Sequence, residues 1–193
     1  ISFDFAGGIG SSSRTFDLDG RAFNIGVLTM SNCGRMRNLT IDGAVVGREL
    51  DRRFPTDGRR TNSYGSAIVV VATDVPLLAS QLCRLAKRAA IGLGRVGSYA
   101  ASTSGEIVVA FSTGNRVPRS TAQPSRFRSL KFVADPHINT MYEAVIEATE
   151  EAVLNAMFCS VGATGRDGRV APPIPQEQVR DLLSKGYPSD AGR

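Results

Sequence analysis

The sequence predicts a mixed α/β domain whose strands and helices pack in layers, an α/β or α+β sandwich. Three observations carry that expectation. Glycine supplies 20 of the 193 residues, against a usual fraction of about 7%, which implies many tight turns and close backbone approaches. Residues Gly65 to Ala72 form a continuous strand-like run around the β-branched Ile68 to Val71, the pattern of a strand buried on both faces. Two later stretches carry apolar residues at helical spacing. A chain of this length buries about 70% of its unfolded surface, enough for one substantial core.

The elements follow in order. Phe23 to Met30 is the best strand candidate in the first 47 residues, and Asp42-Gly43 is a turn signal. Residues 48 to 64 are polar and charged and read as an exposed loop. The Gly65–Ala72 strand comes next. Thr73-Asp74-Val75-Pro76 then has the capping residue and early proline of a helix start. Leu78, Leu82, Leu85 and Ala89 line one face of that helix, and Gly92 and Gly94 stop it. Glu106 to Ser112 is a second buried-looking strand, and Leu130 and Phe132 mark a third. The longest helix spans about Thr140 to Met157, with Thr140 and Glu143 at capping-box spacing. Its face is Tyr142, Val145, Ile146, Thr149, Val153, Ala156 and Met157, and its acidic face of Glu143, Glu147, Glu150 and Glu151 reads as solvated. After Pro172-Pro173, a short helix runs from Gln176 to Lys185 and ends at Gly186.

Composition narrows the function classes. The longest apolar run, Ala67 to Ala72, is six residues, where a membrane span needs about 20, so no transmembrane helix is expected. The chain starts at Ile1 without a basic, then apolar, leader, as a fragment or processed product would. Net charge is +5, and the one basic cluster (Arg48, Arg52, Arg53, Arg59 and Arg60) lacks the interleaved aromatics of a single-strand binder. It reads as a solvated loop, and no nucleic-acid partner is expected. Cys33, Cys83 and Cys159 are odd in number and far apart, which argues against a disulfide framework or a zinc site. Free thiols suit a reducing compartment, so cytoplasm is the expected location. Nothing in the sequence calls for a metal or another cofactor. His137 is the sole histidine and reads as a residue at a helix start, so a catalytic base must come from elsewhere.

Two glycine-rich stretches resemble phosphate-binding loops without their context. Gly92-Leu93-Gly94-Arg95-Val96-Gly97 fits G-x-G-x-x-G but follows a helix, whereas a dinucleotide fingerprint follows a strand and opens a helix. Gly7 to Ser13 offers backbone amides to an anion but is not followed by a P-loop lysine.

The informative dipeptide is Gly65-Ser66. A polar loop ends in glycine and a serine opens a strand, which is the layout of a self-processing N-terminal-nucleophile hydrolase. Cleavage at that bond makes Ser66 a new N-terminus. Its α-amine, with an ordinary pKa of about 7.7–8.0, suits activation of its own hydroxyl without a histidine.

Four ordered blocks then resemble the DmpA/BapA family of self-processing serine aminopeptidases, the L-aminopeptidase/D-esterases and β-peptidyl aminopeptidases. They are Phe5 to Arg14; Ile25 to Arg35 with Leu39 to Gly43 and Val46 to Leu50; Gly65 to Leu78; and Ser104 to Asn115. The resemblance implies an αββα sandwich like that of N-terminal-nucleophile hydrolases, with different strand connectivity. It implies one domain over 1–193, the C-terminal part of a larger family domain, with 1–65 the end of an α piece and 66–193 the β piece after self-cleavage. Family chains carry a long segment upstream of Ile1, including an active-site tyrosine that this sequence does not contain. Ser66 matches the nucleophile and Asn32 the asparagine donor of the oxyanion hole. Ser104 and Glu106 match the family's serine–glutamate pair. Their i, i+2 spacing puts both on one face of an extended segment, from which they would approach Ser66 together, Glu106 steering protons and holding a substrate ammonium while Ser104 relays. The implied function is hydrolysis of N-terminal residues from small peptides, amides or esters through a Ser66 acyl-enzyme, in a homo-oligomer of α and β pieces. The alternatives are an acyltransferase like ornithine acetyltransferase, whose nucleophile is threonine, and a non-catalytic fragment or subunit of the same fold.

Overall fold

A computed structural model describes residues 1–54, 65–117 and 127–185. Four strands make one sheet in the order β1-β2-β3-β4: β1 (Gly8–Leu18), β2 (Arg21–Asn32), β3 (Gly65–Thr73) and β4 (Ser104–Ser112). β1–β2 and β2–β3 are antiparallel, and β3–β4 is parallel. The helices are α1 (Gly47–Arg53), α2 (Ala79–Arg95), α3 (Asn139–Phe158) and α4 (Gln176–Ser184), and a two-stranded ribbon joins β5 (Ala163–Thr164) to β6 (Val170–Ala171). The right-handed logic of a parallel pair explains α2: the crossover from β3 to β4 needs a helix to return the chain to the same sheet edge.

α3 packs across β1 and β2, α2 packs on α3 and β4, and the core lies between these helices and one sheet face. Period-two alternation selects that face. Phe23, Ile25, Val27, Thr29 and Ser31 of β2 and Ala67, Val69, Val71 and Thr73 of β3 are buried, while their alternate neighbours are not. The β3 run is therefore covered on one face among the described residues, not on both: Ile68 is 37% exposed.

Several local expectations change. Residues 47 to 53 form α1 rather than loop, because Glu49 reaches both Arg53 (2.8 Å) and Arg52 (3.3 Å) across one turn. Arg59 and Arg60 lie outside the described residues. β1, unforeseen in the sequence, absorbs Gly8 to Ser13 into the hairpin with β2. Thr73 and Asp74 do not cap a helix. Thr73 Oγ1 donates to the Asn24 carbonyl (2.7 Å) and Asp74 accepts from the Asn24 amide (2.8 Å), so both tie β3 to β2. α2 starts later, where Gln81 Oε1 accepts from the Leu78 amide (3.0 Å). Gly92 and Gly94 lie inside α2. Gly92 lets α3 approach, since a Cβ there would meet the Ile146 carbonyl and Thr149 Cβ, each at 2.6 Å. The turn that ends the helix uses Gly97, at φ +100°.

Asp42 and Gly43 make the expected tight turn, both at positive φ, bridging Ile41 to Ala44. α3 has the expected span but no capping box: Ile138 precedes it in helical conformation, fed by a 3-10 turn at Asp135–His137. Its buried stripe is Met141, Ala144, Val145, Ala148, Thr149, Ala152, Val153, Ala156 and Met157, with Tyr142 and Ile146 at the margin. The acidic face is not merely solvated, because Glu147 and Glu151 pair with Arg14 of β1 and Glu150 with Arg95. Leu130 and Phe132 belong to no strand. They are exposed in an irregular segment held by the Asn115 side chain, which brackets Lys131. α4 follows Pro172-Pro173 as expected; Gly186 lies outside the described residues. No helix among the described residues is long and apolar enough to cross a membrane.

Candidate active site

The register of the central strands assembles the predicted residues at one end of the sheet. Ser66 opens β3. On its antiparallel side it faces Asn32, the last residue of β2, and on its parallel side Gly105 of β4. Directly opposed residues on antiparallel strands share a face with Cβ atoms about 5 Å apart. Ser66 and Asn32 are thus neighbours on the sheet face that no helix among the described residues covers, and both are exposed. The next pairs, Gly65 with Ser104 and Ala67 with Glu106, point to the helix-covered face.

This parity corrects one expectation. Ser104 and Glu106 do share a face, but it is the face opposite the Ser66 side chain. Ser104 Oγ donates to Glu106 Oε1 at 2.5 Å. On that side it borders Gly65, where a Cβ would lie 2.9 Å from Ser104 Oγ. The pair therefore flanks the Gly65–Ser66 peptide bond from below while Asn32 and the Ser66 hydroxyl stand above it. Strand pairing alone dictates this: Ser66 falls in register with Gly105, the residue between the two polar ones, so their side chains leave the sheet on opposite sides.

The Ser66 hydroxyl donates to the Gly65 carbonyl oxygen at 2.6 Å. Asn32 Oδ1 lies 3.3 Å from the Ile1 nitrogen. Cys33, next in the chain, is buried and its carbonyl accepts from the Phe3 amide at 2.9 Å. It is a packing residue. His137 is exposed in the 3-10 turn ahead of α3, on an element that contributes nothing to this strand end.

Residues that the sequence did not single out as a site complete the surroundings. A shallow, open concavity borders the dipeptide, lined by Gly65 and Ser104 together with Gly34, Arg35 and the turn Ser98–Ala101. That turn follows Gly97 and includes Ala100 at φ +48°; it is pinned to β4 by the Ser104 amide donating to the Ala101 carbonyl (2.7 Å). Its sequence signal is a short run, small apart from Tyr99, after a helix-ending glycine. Spatial adjacency to Ser104 is not readable from that.

Residues 1–171 match the model of peptidase family S58. The β-peptidyl aminopeptidase BapA of Sphingosinicella microcystinivorans is 37% identical, over 95% of this chain and 48% of its own length. BapA of Sphingosinicella xenopeptidilytica is 33% identical, over 97% and 49%. Among solved structures, the L-aminopeptidase D-Ala-esterase/amidase of Ochrobactrum anthropi, described as a variant of the Ntn hydrolase fold, superimposes with a TM-score of 0.86 at 38% identity, covering 96% of this chain and 50% of that one. A Burkholderia sp. β-aminopeptidase gives 0.84 at 35%, covering 98% and 52%. The chain thus spans about half the length of the proteins it matches, and it belongs to peptidase family S58.

Proposed function

We propose that this member of peptidase family S58 is a self-processing serine aminopeptidase. In this reading it cleaves its own Gly65–Ser66 bond and then removes N-terminal residues from small peptides, amides or esters. The observation that carries the reading is the Ser66 hydroxyl held 2.6 Å from the Gly65 carbonyl oxygen, at the strand end where Asn32, Ser104 and Glu106 meet.

Self-cleavage begins with attack of Ser66 Oγ on the Gly65 carbonyl carbon. The Oγ–C bond forms and the C–N bond breaks. The hydroxyl proton passes to the departing nitrogen, which becomes the Ser66 α-amine. Water then hydrolyses the ester and frees the Gly65 carboxylate. In turnover the α-amine takes the proton from Oγ as it attacks a substrate carbonyl and delivers it to the leaving amine. Ser104 and Glu106, beside the peptide bond whose nitrogen becomes that amine, hold its proton in reach. Asn32 Nδ2 serves the developing oxyanion, a contribution of about 2.7–4 kcal/mol for a donor of this kind. The substrate's own free ammonium finds a carboxylate partner in Glu106. Assembly of α and β pieces into a homo-oligomer belongs to the same reading.

Ser66→Ala is the test. The variant should remain a single species by intact mass and lose hydrolysis of aminoacyl p-nitroanilides by about a thousandfold or more. Turnover persisting in that variant would remove Ser66 from the mechanism.

A further inference from the structure

Phe3 and Asp4 sit at φ +51° and +64°, in the left-handed region that glycine and asparagine usually occupy in tight turns. A phenylalanine there crowds its own Cβ against a carbonyl oxygen, yet this one is fully buried. The two residues form the tip of the turn. The Ser2 amide donates to the Phe5 carbonyl and the Phe5 amide to the Ser2 carbonyl, each at 2.9 Å. A backbone held this way persists only where its surroundings demand it, and such places cluster at functional sites.

The surroundings here are the end of β2. The β1 ladder stops with Gly8 opposite Ser31, one residue short of Asn32. From there the turn takes over and grips the chain on both sides of Asn32. Ahead of it, the buried Ser2 and Ser31 hydroxyls lie 2.6 Å apart. Behind it, the Phe3 amide donates to the Cys33 carbonyl at 2.9 Å, and a Cβ at Gly34 would collide with the Phe3 ring. Asp4 Oδ2 then accepts from the Met36 amide at 2.9 Å. Gly34 is at φ +81°, so the chain bends directly after Cys33, and the Asp4 carboxyl fixes where it goes. A pair of glycines would make this turn without strain and supply neither the ring nor the carboxyl.

We infer that Asp4 is a positioning residue: with Phe3 it fixes the exit of β2 and so aims Asn32 at the oxygen that gains charge when Ser66 attacks. This rests on the acyl-transfer role proposed above for Ser66. An oxyanion donor works because it is held in place beforehand, and a misplacement of about 1 Å costs up to about a hundredfold in rate.

Hydrolysis of an aminoacyl p-nitroanilide by the processed protein tests it, in Asp4→Ala, Asp4→Asn, Asn32→Ala and the Asp4→Ala/Asn32→Ala pair. Asp4→Ala should lower kcat by about tenfold or more and leave KM within about twofold. Asp4→Asn keeps an oxygen able to accept from Met36 and should recover most of that loss. On the Asn32→Ala background, Asp4→Ala should cost less than about twofold more, because the donor it aims is gone. An unchanged kcat in Asp4→Ala, no recovery in Asp4→Asn, or the same loss on both backgrounds overturns the positioning role and leaves Ser66 as nucleophile. Where Asn32→Ala has no measurable turnover, the kcat-against-KM split and the Asp4→Asn recovery decide. If Asp4→Ala does not fold, Phe3→Leu decides: kcat should fall several-fold at constant KM, and an unchanged kcat overturns the role. Turnover that survives Ser66→Ala would remove the acyl-transfer reading, and the aiming of Asn32 with it.

Discussion

The two faces of the four-stranded sheet are built from similar residues and meet different fates. The helix-covered face carries Ile25, Val27, Val69 and Val71, all at most 2% exposed. The opposite face carries Leu28, Met30, Ile68, Ile107, Val109 and Phe111, which are between 37% and 59% exposed. An ordinary solvated sheet face alternates polar residues outward. This one does not, so β3 and β4 have the composition of strands meant for burial on both sides, although one side is bare among the described residues. The candidate site uses both faces: Ser66 and Asn32 stand at the end of the bare face, and Ser104 and Glu106 at the end of the covered one.

The largest expected difference comes from placing a carboxylate on each face of the same strand. Val69→Asp puts an unpaired charge at a fully buried position of the core and should leave no folded population, a loss of about 4 kcal/mol or more. Ile68→Asp, one residue away, should shift the urea midpoint by no more than about 0.5 kcal/mol. Equal losses would mean that the bare face is packed in solution.

Two glycines give the next contrast. A Cβ at Gly10 would run into the Ala152 carbonyl and the Ala156 amide of α3, whereas one at Gly26 meets nothing within 4 Å. Gly10→Ala should therefore pry β1 from α3 and cost about 1–3 kcal/mol. Gly26→Ala, on the bare face, should be neutral within about 0.5 kcal/mol. Denaturant curves for the two variants check both values.

The smallest effect lies at the rim of the covered face. The Glu151 carboxyl is held below its ordinary range by the Ser12 hydroxyl (2.6 Å) and by Arg14. A carboxylate whose folded pKa is depressed adds stability above its unfolded pKa and loses it as pH falls through the folded value. Nearly half of the Glu151 side chain is exposed, so the contribution is under about 1 kcal/mol. Glu151→Gln should lower the urea midpoint at neutral pH and match wild type once the pH falls below the depressed range. A gap that persists in acid would contradict the assignment.

Much of this architecture was legible in the sequence, and the exceptions have physical causes. β2, β3, β4, α2 and α3 announce themselves by runs and periodicity. β1 did not, because Gly8 to Ser13 is glycine and serine apart from Ile9 and earns its strand only through the hairpin with β2. α1 hid in a charged stretch because the Glu49–arginine pairs that support it look like loop polarity. Leu130 and Phe132 misled because apolar residues alone do not specify a partner strand. At the site, the resemblance named Ser66, Asn32, Ser104 and Glu106, and strand register gathers all four. Spacing along β4 did show that Ser104 and Glu106 share a face. It did not show which face, because that depends on pairing Ser66 with Gly105 across the parallel ladder. The concavity beside them was unreadable for the same reason, since Arg35 and Tyr99 meet Gly65 only through the fold.

The central claim is that Ser66 becomes an N-terminal nucleophile by cutting its own chain. Its most direct test is the denaturing intact mass of protein that hydrolyses an aminoacyl p-nitroanilide, joined to N-terminal sequencing. The account predicts two species separating between Gly65 and Ser66, the second beginning at serine. An active protein whose chain is still whole at that bond would contradict it.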